Sequence, residues 1–326
     1  MLIAQFLSEF FPPKPTLTEA DLPTLAGKTY FITGGAAGIG KELARMLYSA
    51  NATVYIAGRS LANIEKATKE IIENPSGGMT FPQTGGRIVP LILDLGDLTT
   101  IKAAVQELEK KVTKLDMVLF NAGVMTPPVG AKTAQGYELQ WGTNVVGHFL
   151  LQKLMMPLLL ASAQDDEEPL RIIWVSSDGS MMSPSPDGVY WDNINNANGK
   201  LSPWNLYTQS KAGNVILAAE TAQRYAPDNI ITASLNPGHL KTELQRHSNT
   251  CIRRIVQATL LHDARYGALT ELYAGFSSVL TKEKSGSYFI PWGREAIMAP
   301  HVKKGLENGS GGRLWELLDK ETAQYQ

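Results

Sequence analysis

Short apolar runs alternate with amphipathic stretches along the chain from residue 28 onward. Residues 30–33 (YFIT) are apolar and β-rich and end in glycines, as a buried strand does. Residues 38–50 then place Ile39, Leu43, Met46 and Leu47 at helical spacing. The same alternation predicts strands at 53–57 (TVYIA), 88–93, 117–120, 171–175 (RIIWV) and 230–235. Helices are predicted at 60–73, opened by Ser60 as an N-cap, and at 98–112, 136–160 and 207–225. Helical segments at 252–261 and 264–277 precede a seventh strand at 287–290, and 313–322 reads as a final amphipathic helix. Continuous apolar strands separated by helices of this length imply a parallel sheet covered on both faces. The expectation is an α/β, doubly wound sheet of about seven strands. It is read as one domain over 1–326, with an N-terminal lead at 1–27 and a C-terminal helical extension at 300–326.

Three stretches break the rhythm. Residues 74–86 are rich in Gly and Pro and read as a surface loop. Residues 178–204, with Pro184, Pro186 and several Asn, form a long excursion of the kind that often carries function. Residues 308–312 (NGSGG) read as a hinge. The first residues, MLIAQFLSEFF, are apolar but short, carry Glu9 and lack a basic start, so they do not read as a signal peptide. They are expected to pack on the body, with a membrane surface as the alternative. The most apolar later run, 149–163, contains Gln152, Lys153 and Pro157 and falls short of a membrane span, which leaves a buried helix.

Composition narrows the chemistry. With 44% hydrophobic residues the 326-residue chain can bury a large core, and a net charge of -1 excludes the basic surface that nucleic acids need. The lone Cys251 can form neither an internal disulfide nor a thiolate metal site. That single cysteine suits a reducing, cytoplasmic setting, and the five histidines are scattered without metal-ligand spacing, so no metal is expected.

The stretch Thr33-Gly34-Gly35-Ala36-Ala37-Gly38-Ile39-Gly40, between the first strand and first helix, has the arrangement that cradles a pyrophosphate. Glycines let the backbone turn tightly, and the amides and dipole of the helix hold the anion. No Gly-Lys-Ser/Thr follows, which excludes a nucleoside-triphosphate loop. Tyr207 and Lys211 share a face of one predicted helix, and a nearby ammonium favours the phenolate. By spacing alone a Y-x3-K pair decides nothing; its position after the fifth strand does.

The spacing Gly34-x3-Gly38-x-Gly40 resembles the short-chain dehydrogenase/reductase family, whose pattern can be followed over about 28–242. Asp94-Leu95 looks like its adenine-contacting pair, Asn121-Ala122-Gly123 like its N-A-G turn, and Asn144-Val145-Val146-Gly147-His148-Phe149 like the helix carrying its catalytic Asn. Ser176-Ser177, Tyr207-x3-Lys211 and Pro237-Gly238 complete the set in order. The long lead and the long gap from Ser177 to Tyr207 look most like the retinol-dehydrogenase-like branch and fungal secondary-metabolism members.

The resemblance implies a Rossmann-type fold and a hydride transfer between a nicotinamide cofactor and a carbonyl or alcohol. It casts Tyr207 as proton donor, Ser177 as the hydroxyl on the substrate oxygen, Lys211 as partner of Tyr207 and of the ribose, and Asn144 as holder of a relay water. Thr242 is placed to contact the carboxamide. Ser176 would point to the opposite side of its strand, and His239 stands as an alternative base. No acid lies between Val54 and Asn63 to accept from a ribose 2′-OH, whereas Arg59 and Ser60 suit a 2′-phosphate, which points to NADP(H).

The insert contributes Met181, Met182, Tyr190, Trp191 and Trp204, which suggest a bulky hydrophobic ligand or merely pack the insert down. The variable substrate segment of the family would fall at 240–261. Ketone or aldehyde reduction is the leading reading; a cofactor-binding regulator without turnover and an epimerase or dehydratase remain as alternatives. The apolar helices at 98–112, 136–160 and 207–225 suggest a homodimer, unless the terminal extensions cover that face.

Overall fold

A computed structural model describes residues 2–76, 82, 85–164, 168–241 and 261–326. One sheet contains β1 (Thr29–Thr33), β2 (Thr53–Gly58), β3 (Arg87–Ile92), β4 (Met117–Phe120), β5 (Leu170–Val175), β6 (Ile230–Leu235), β7 (Ser287–Ile290) and β8 (Arg294–Ala296). The strand order is β3-β2-β1-β4-β5-β6-β7-β8, parallel throughout except for the β7–β8 pair. This is the expected Rossmann-type sheet, and its order reverses at β1. A crevice therefore opens beyond the carboxyl ends of β1 and β4, where such sheets bind ligands.

β8 is the strand that the apolar pattern could not reveal. Arg294, Glu295 and Ala296 are none of them buried, so main-chain pairing with β7 after a turn at Gly293 (φ +80°) carries it.

The helices are α1 (Leu2–Phe10), α2 (Gly38–Ser49), α3 (Leu61–Glu73), α4 (Leu98–Glu109), α5 (Leu139–Gln164), α6 (Pro203–Arg224), α7 (Ala264–Phe276), α8 (Pro300–Glu307) and α9 (Ser310–Thr322). Ser60 caps α3 as expected, accepting from Asn63 N at 3.3 Å. α6 begins ahead of residue 207 because Ser202 accepts from Asn205 N and Pro203 fits the first helical position. α9 absorbs Gly311 and Gly312 of the expected hinge. A Cβ on Gly311 would collide with the Glu220 carboxylate of α6, so the glycine serves a close helix approach. The helix expected at 252–261 lies, but for Leu261, outside the described residues, and the loop at 74–86 is described only in part.

Alternate residues of each strand feed two core layers. Phe31, Phe120, Trp174 and Phe149 pack between the sheet and α4, α5 and α6; Ile32, Ile56, Leu43 and Leu269 pack on the other face with α2, α3 and α7. α5 and α6 are buried nearly all round because α9 covers them from outside, α5 with mostly apolar residues and α6 with polar ones such as Gln209, Asn214 and Thr221 among them. Trp315 meets Phe149 and Tyr225 with ring centroids 5.0 and 6.3 Å apart, and the Arg224 guanidinium lies 4.6 Å from the Trp315 ring. α5 is long and apolar enough to cross a membrane, yet Phe149, Leu150, Met155 and Leu159 are buried in this sandwich. α1 packs on the body, as expected. Arg294 Nη2 donates to Ser8 O at 2.9 Å, and Gln5 Nε2 donates to Ile297 O at 2.9 Å.

Candidate active site

β1 ends at Thr33 and the chain turns through glycines into α2. Gly34 (φ +70°) and Gly38 (φ +54°) occupy backbone that side chains avoid. A Cβ on Gly34 would lie 3.0 Å from Ala122 Cα and from Asn121 Nδ2, and one on Gly40 would press on the same amide. The first turn of α2, which holds Ile39, carries no acidic residue. The turn is thus an open cradle at a helix N-terminus, and its residues fit a dinucleotide pyrophosphate.

The Asn121-Ala122-Gly123 turn after β4 is tied to the end of β1. Asn121 N and Ala122 N donate to Thr33 Oγ1 at 2.9 and 3.0 Å, and Asn121 Nδ2 donates to Thr33 O at 2.9 Å. Thr33 Oγ1 also lies 3.0 Å from His148 Nε2, and His148 Nδ1 lies 3.1 Å from the Asn144 carbonyl. A carbonyl only accepts, so Nδ1 carries the proton and Nε2 accepts from Thr33. Burial pushes the imidazole down to about 3 and keeps it neutral. Nothing in the sequence marked Thr33 and His148 as supports of the site; a histidine inside an otherwise apolar helix was the available signal.

Around this cradle, Asp94 Oδ1 accepts from Gly96 N at 2.8 Å, and the Leu95 carbonyl abuts Gly147 so closely that a Cβ there would collide. Arg59 is exposed just beyond β2 and makes no ion pair among the described residues.

The four expected catalytic residues come together. Tyr207 and Lys211 are both buried, one turn apart on α6, with Lys211 Nζ 5.9 Å from the Tyr207 ring centroid. Lys211 Nζ donates to Val175 O at 2.9 Å, and burial pulls the ammonium down to about 8. Burial pushes the Tyr207 phenol well above its ordinary value; its hydrogen bond with Ser177 opposes this and the Asp178 charge adds to it. At neutral pH Tyr207 therefore holds its proton.

Ser177, and not Ser176, stands beside the phenol. Ser176 Oγ donates to Lys211 O at 2.7 Å on the buried side, whereas Ser177 Oγ accepts from Gly179 N at 3.1 Å and donates to Asp178 Oδ1 at 2.8 Å.

Asn144 sits in a π turn (Gly142–Gly147) within α5. Its Nδ2 donates to Val124 O and to Ser210 Oγ, both at 3.0 Å, and its Oδ1 accepts from Val124 N at 2.9 Å. A Cβ on Gly123 would lie 3.3 Å from Asn144 Oδ1 and 3.5 Å from Lys211 Nζ. Gly123 is thus where the turn, the amide and the ammonium meet.

Beyond β6, Pro237 is buried and Gly238 (φ +96°) leaves no room for a side chain: a Cβ would lie 2.9 Å from the Pro291 and Trp292 rings. Thr242 lies outside the described residues. His239 is directed at Asp178, with Nε2 3.4 Å from Oδ2. Tyr288 Oη donates to Ser177 O at 3.3 Å, a second tyrosine at the cluster that sequence reasoning missed.

The insert divides its aromatic residues between two tasks. Trp204 is 42% exposed and lies on Tyr207 with ring centroids 5.5 Å apart, and Met182 is 46% exposed. Trp191 donates to Asp187 and lies under Arg313, Tyr190 N donates to Gln209 Oε1, and Met181 packs on the core. Only the first two face outward near the site.

The family model described as short chain dehydrogenase matches residues 28–190. A short-chain dehydrogenase/reductase of Armillaria gallica is 40% identical over 318 residues, covering 98% of this chain and 97% of its own. One from Neocamarosporium betae, bet4, is 37% identical over 340 residues, covering 99% and 94%. Among solved structures, an uncharacterized protein from Mycobacterium paratuberculosis superposes with TM-score 0.70 at 27% identity, covering 94% of this chain and 97% of that one. The fold is also shared with a Brucella melitensis 3-ketoacyl-(acyl-carrier-protein) reductase complexed with NADH (TM-score 0.61, 21% identity, covering 83% and 99%). A Pseudomonas aeruginosa RhlG/NADP complex shares it as well (TM-score 0.60, 22% identity, covering 86% and 98%).

Proposed function

The chain belongs to the short-chain dehydrogenase/reductase family, and from that premise we propose that it is an NADP(H)-dependent reductase of ketones or aldehydes on hydrophobic small molecules. The observation that carries the reading is the buried Tyr207 beside Ser177, whose phenol burial favours in its protonated form, a proton donor poised for an oxygen that gains charge. NADP(H), when bound, supplies or takes the hydride.

The residues of this chain do the rest. Gly34, Gly38, Ile39 and Gly40 would hold the pyrophosphate, Asp94 and Leu95 the adenine, and Asn121, Ala122 and Gly123 the floor of the crevice. Pro237, Gly238 and Thr242 would border the carboxamide. Tyr207 gives its proton to the substrate oxygen while Ser177 turns its hydroxyl from Asp178 towards that oxygen. Lys211 steadies the phenolate left behind and grips the ribose with Tyr207. Asn144 holds the 123–124 turn against Lys211 and, in this reading, a water that returns the proton.

NADP(H) over NAD(H) is favoured by the exposed Arg59 and by the lack of any acid between Val54 and Asn63. Hydrophobic substrates are favoured by the exposed Trp204 against Tyr207. Consumption of NADPH with aromatic ketones, aldehydes and quinones tests the reading. NADPH binding without turnover of any of them would instead favour a regulator.

A cytoplasmic setting belongs to the same reading. A homodimer would need a surface other than the one α9 covers; light scattering giving a 35.5 kDa particle across a dilution series would exclude it.

A further inference from the structure

The N-terminal helix ends against the rim of the catalytic cluster, on Asn236 and His239. Glu9 is almost wholly buried, and its Oε2 accepts from Asn236 Nδ2 at 2.6 Å, immediately ahead of Pro237-Gly238. The next residue, Phe10, lies flat on the His239 imidazole with ring centroids 4.0 Å apart and planes inclined at 21°. From there the contacts continue inward. His239 Nε2 is 3.4 Å from Asp178 Oδ2, Asp178 Oδ1 accepts from Ser177 Oγ at 2.8 Å, and Ser177 Oγ stands beside the Tyr207 ring next to Gly179. A short chain of side chains thus joins α1 to the reacting hydroxyl. Arg294 fixes the same turn of the helix from β8, with Nη1 donating to Ser8 Oγ at 3.1 Å and Nη2 to Ser8 O at 2.9 Å.

We propose that α1 is a specificity element of the active site, in which Phe10, anchored through Glu9 and backed by His239, forms a wall for the non-reacting part of the carbonyl substrate. An aromatic face offers a large apolar area with few rotors to immobilise, which suits recognition of a flat or bulky apolar group. Trp204 on Tyr207 supplies a second such face, and the exposed Phe11 (74%) and Leu7 (57%) carry the apolar surface outward from Phe10. The substrate class is a ketone or aldehyde bearing an aryl or comparably bulky apolar substituent. The inference rests on the carbonyl-reductase reading for its chemistry and on the Phe10–His239 stack for its place.

The test uses the full chain and its Phe10→Ala and Phe10→Tyr variants, with acetone and acetylnaphthalene as substrates and NADPH affinity as a control. Phe10→Ala lowers kcat/KM for acetylnaphthalene roughly 10- to 100-fold, the scale of a lost apolar contact in a pocket, and spares acetone. Phe10→Tyr restores the preference, and NADPH affinity stays constant in both. An equal fall for the two ketones, or no change in either, overturns the proposal. If the unmodified chain reduces neither ketone, the wider panel of ketones, aldehydes and quinones decides the carbonyl-reductase reading separately. Calorimetry of acetylnaphthalene with the NADP⁺-loaded chain then decides the wall. Weaker binding by Phe10→Ala supports it; equal binding, or none by either protein, overturns it.

Discussion

Replacing Thr33 by Val keeps the shape of the side chain and removes one hydroxyl that lies within hydrogen-bond distance of four groups, the Leu119 carbonyl at 3.4 Å being the most distant. Thr33 is fully buried, and its Oγ1 accepts from Asn121 N and Ala122 N and donates to His148 Nε2. A buried polar group left without its partner costs about 1–3 kcal/mol. Water can reach Asn121 and Ala122 in part, which holds each of those amides near the lower end. His148 is fully buried and neutral, so its orphaned Nε2 bears more of the penalty. The expected loss in Thr33→Val is therefore about 3–5 kcal/mol, read from urea unfolding followed by circular dichroism. NADPH binding weakens too, because the freed Asn121-Ala122-Gly123 turn is the floor of the proposed cofactor crevice. Thr33→Ser retains the hydroxyl and recovers most of both losses. A valine variant within about 1 kcal/mol of the parent and with unchanged NADPH affinity would refute the argument that this hydroxyl holds the crevice together.

Three more outcomes follow from the site. Tyr207→Phe retains folding, weakens NADPH by no more than one lost ribose contact, and loses turnover by about 10²–10⁴-fold or more, measured as NADPH oxidation at saturating substrate and cofactor; near-normal turnover would show that the proton comes from elsewhere. Arg59→Ala weakens NADPH by about 1–3 kcal/mol and leaves NADH little changed in fluorescence titrations, whereas equal losses would remove the 2′-phosphate assignment. Burial raises Glu9 from 4.5 to about 7, with the Asp178 charge adding and Asn236, Gln5 and Arg294 opposing. A carboxyl with a raised value stabilises the fold fully below pH 4.5, and the contribution is lost as pH rises through 7, an effect of about 3 kcal/mol. Glu9→Gln should flatten that part of the pH–stability profile, and an unchanged slope between pH 5 and 8 would contradict it.

Most of the sheet was legible because seven of its strands are apolar runs set between amphipathic helices, a pattern that packing on two faces imposes. β8 was hidden because an edge strand of Arg, Glu and Ala needs no apolar signature. The start of α6 was misplaced for a different reason: a capping Ser and an N-terminal Pro, both visible, were read as the end of a loop. Tyr207, Lys211, Ser177 and Asn144 were legible through order and placement. Glu9, Asn236 and His239 were not identified as one cluster, since residues more than two hundred positions apart meet only through the sheet topology. His148 lay within a recognised motif, yet its task depends on the π turn that aims the Asn144 carbonyl at its ring. No periodicity foretells that turn.

The covering of α5 and α6 by α9 has a consequence during synthesis. Phe149 leaves the ribosome roughly 170 residues before its partner Trp315, which at about 5–20 residues per second is roughly 10–30 s. Through that interval the outer face of α5, joined by that of α6 once it emerges, stands bare on a nascent chain. Holdase chaperones recognise such surfaces, so the yield of this protein in a cell should depend on them more than the finished fold's stability would suggest. Slowing translation between α6 and α9 would lengthen the interval and favour aggregation.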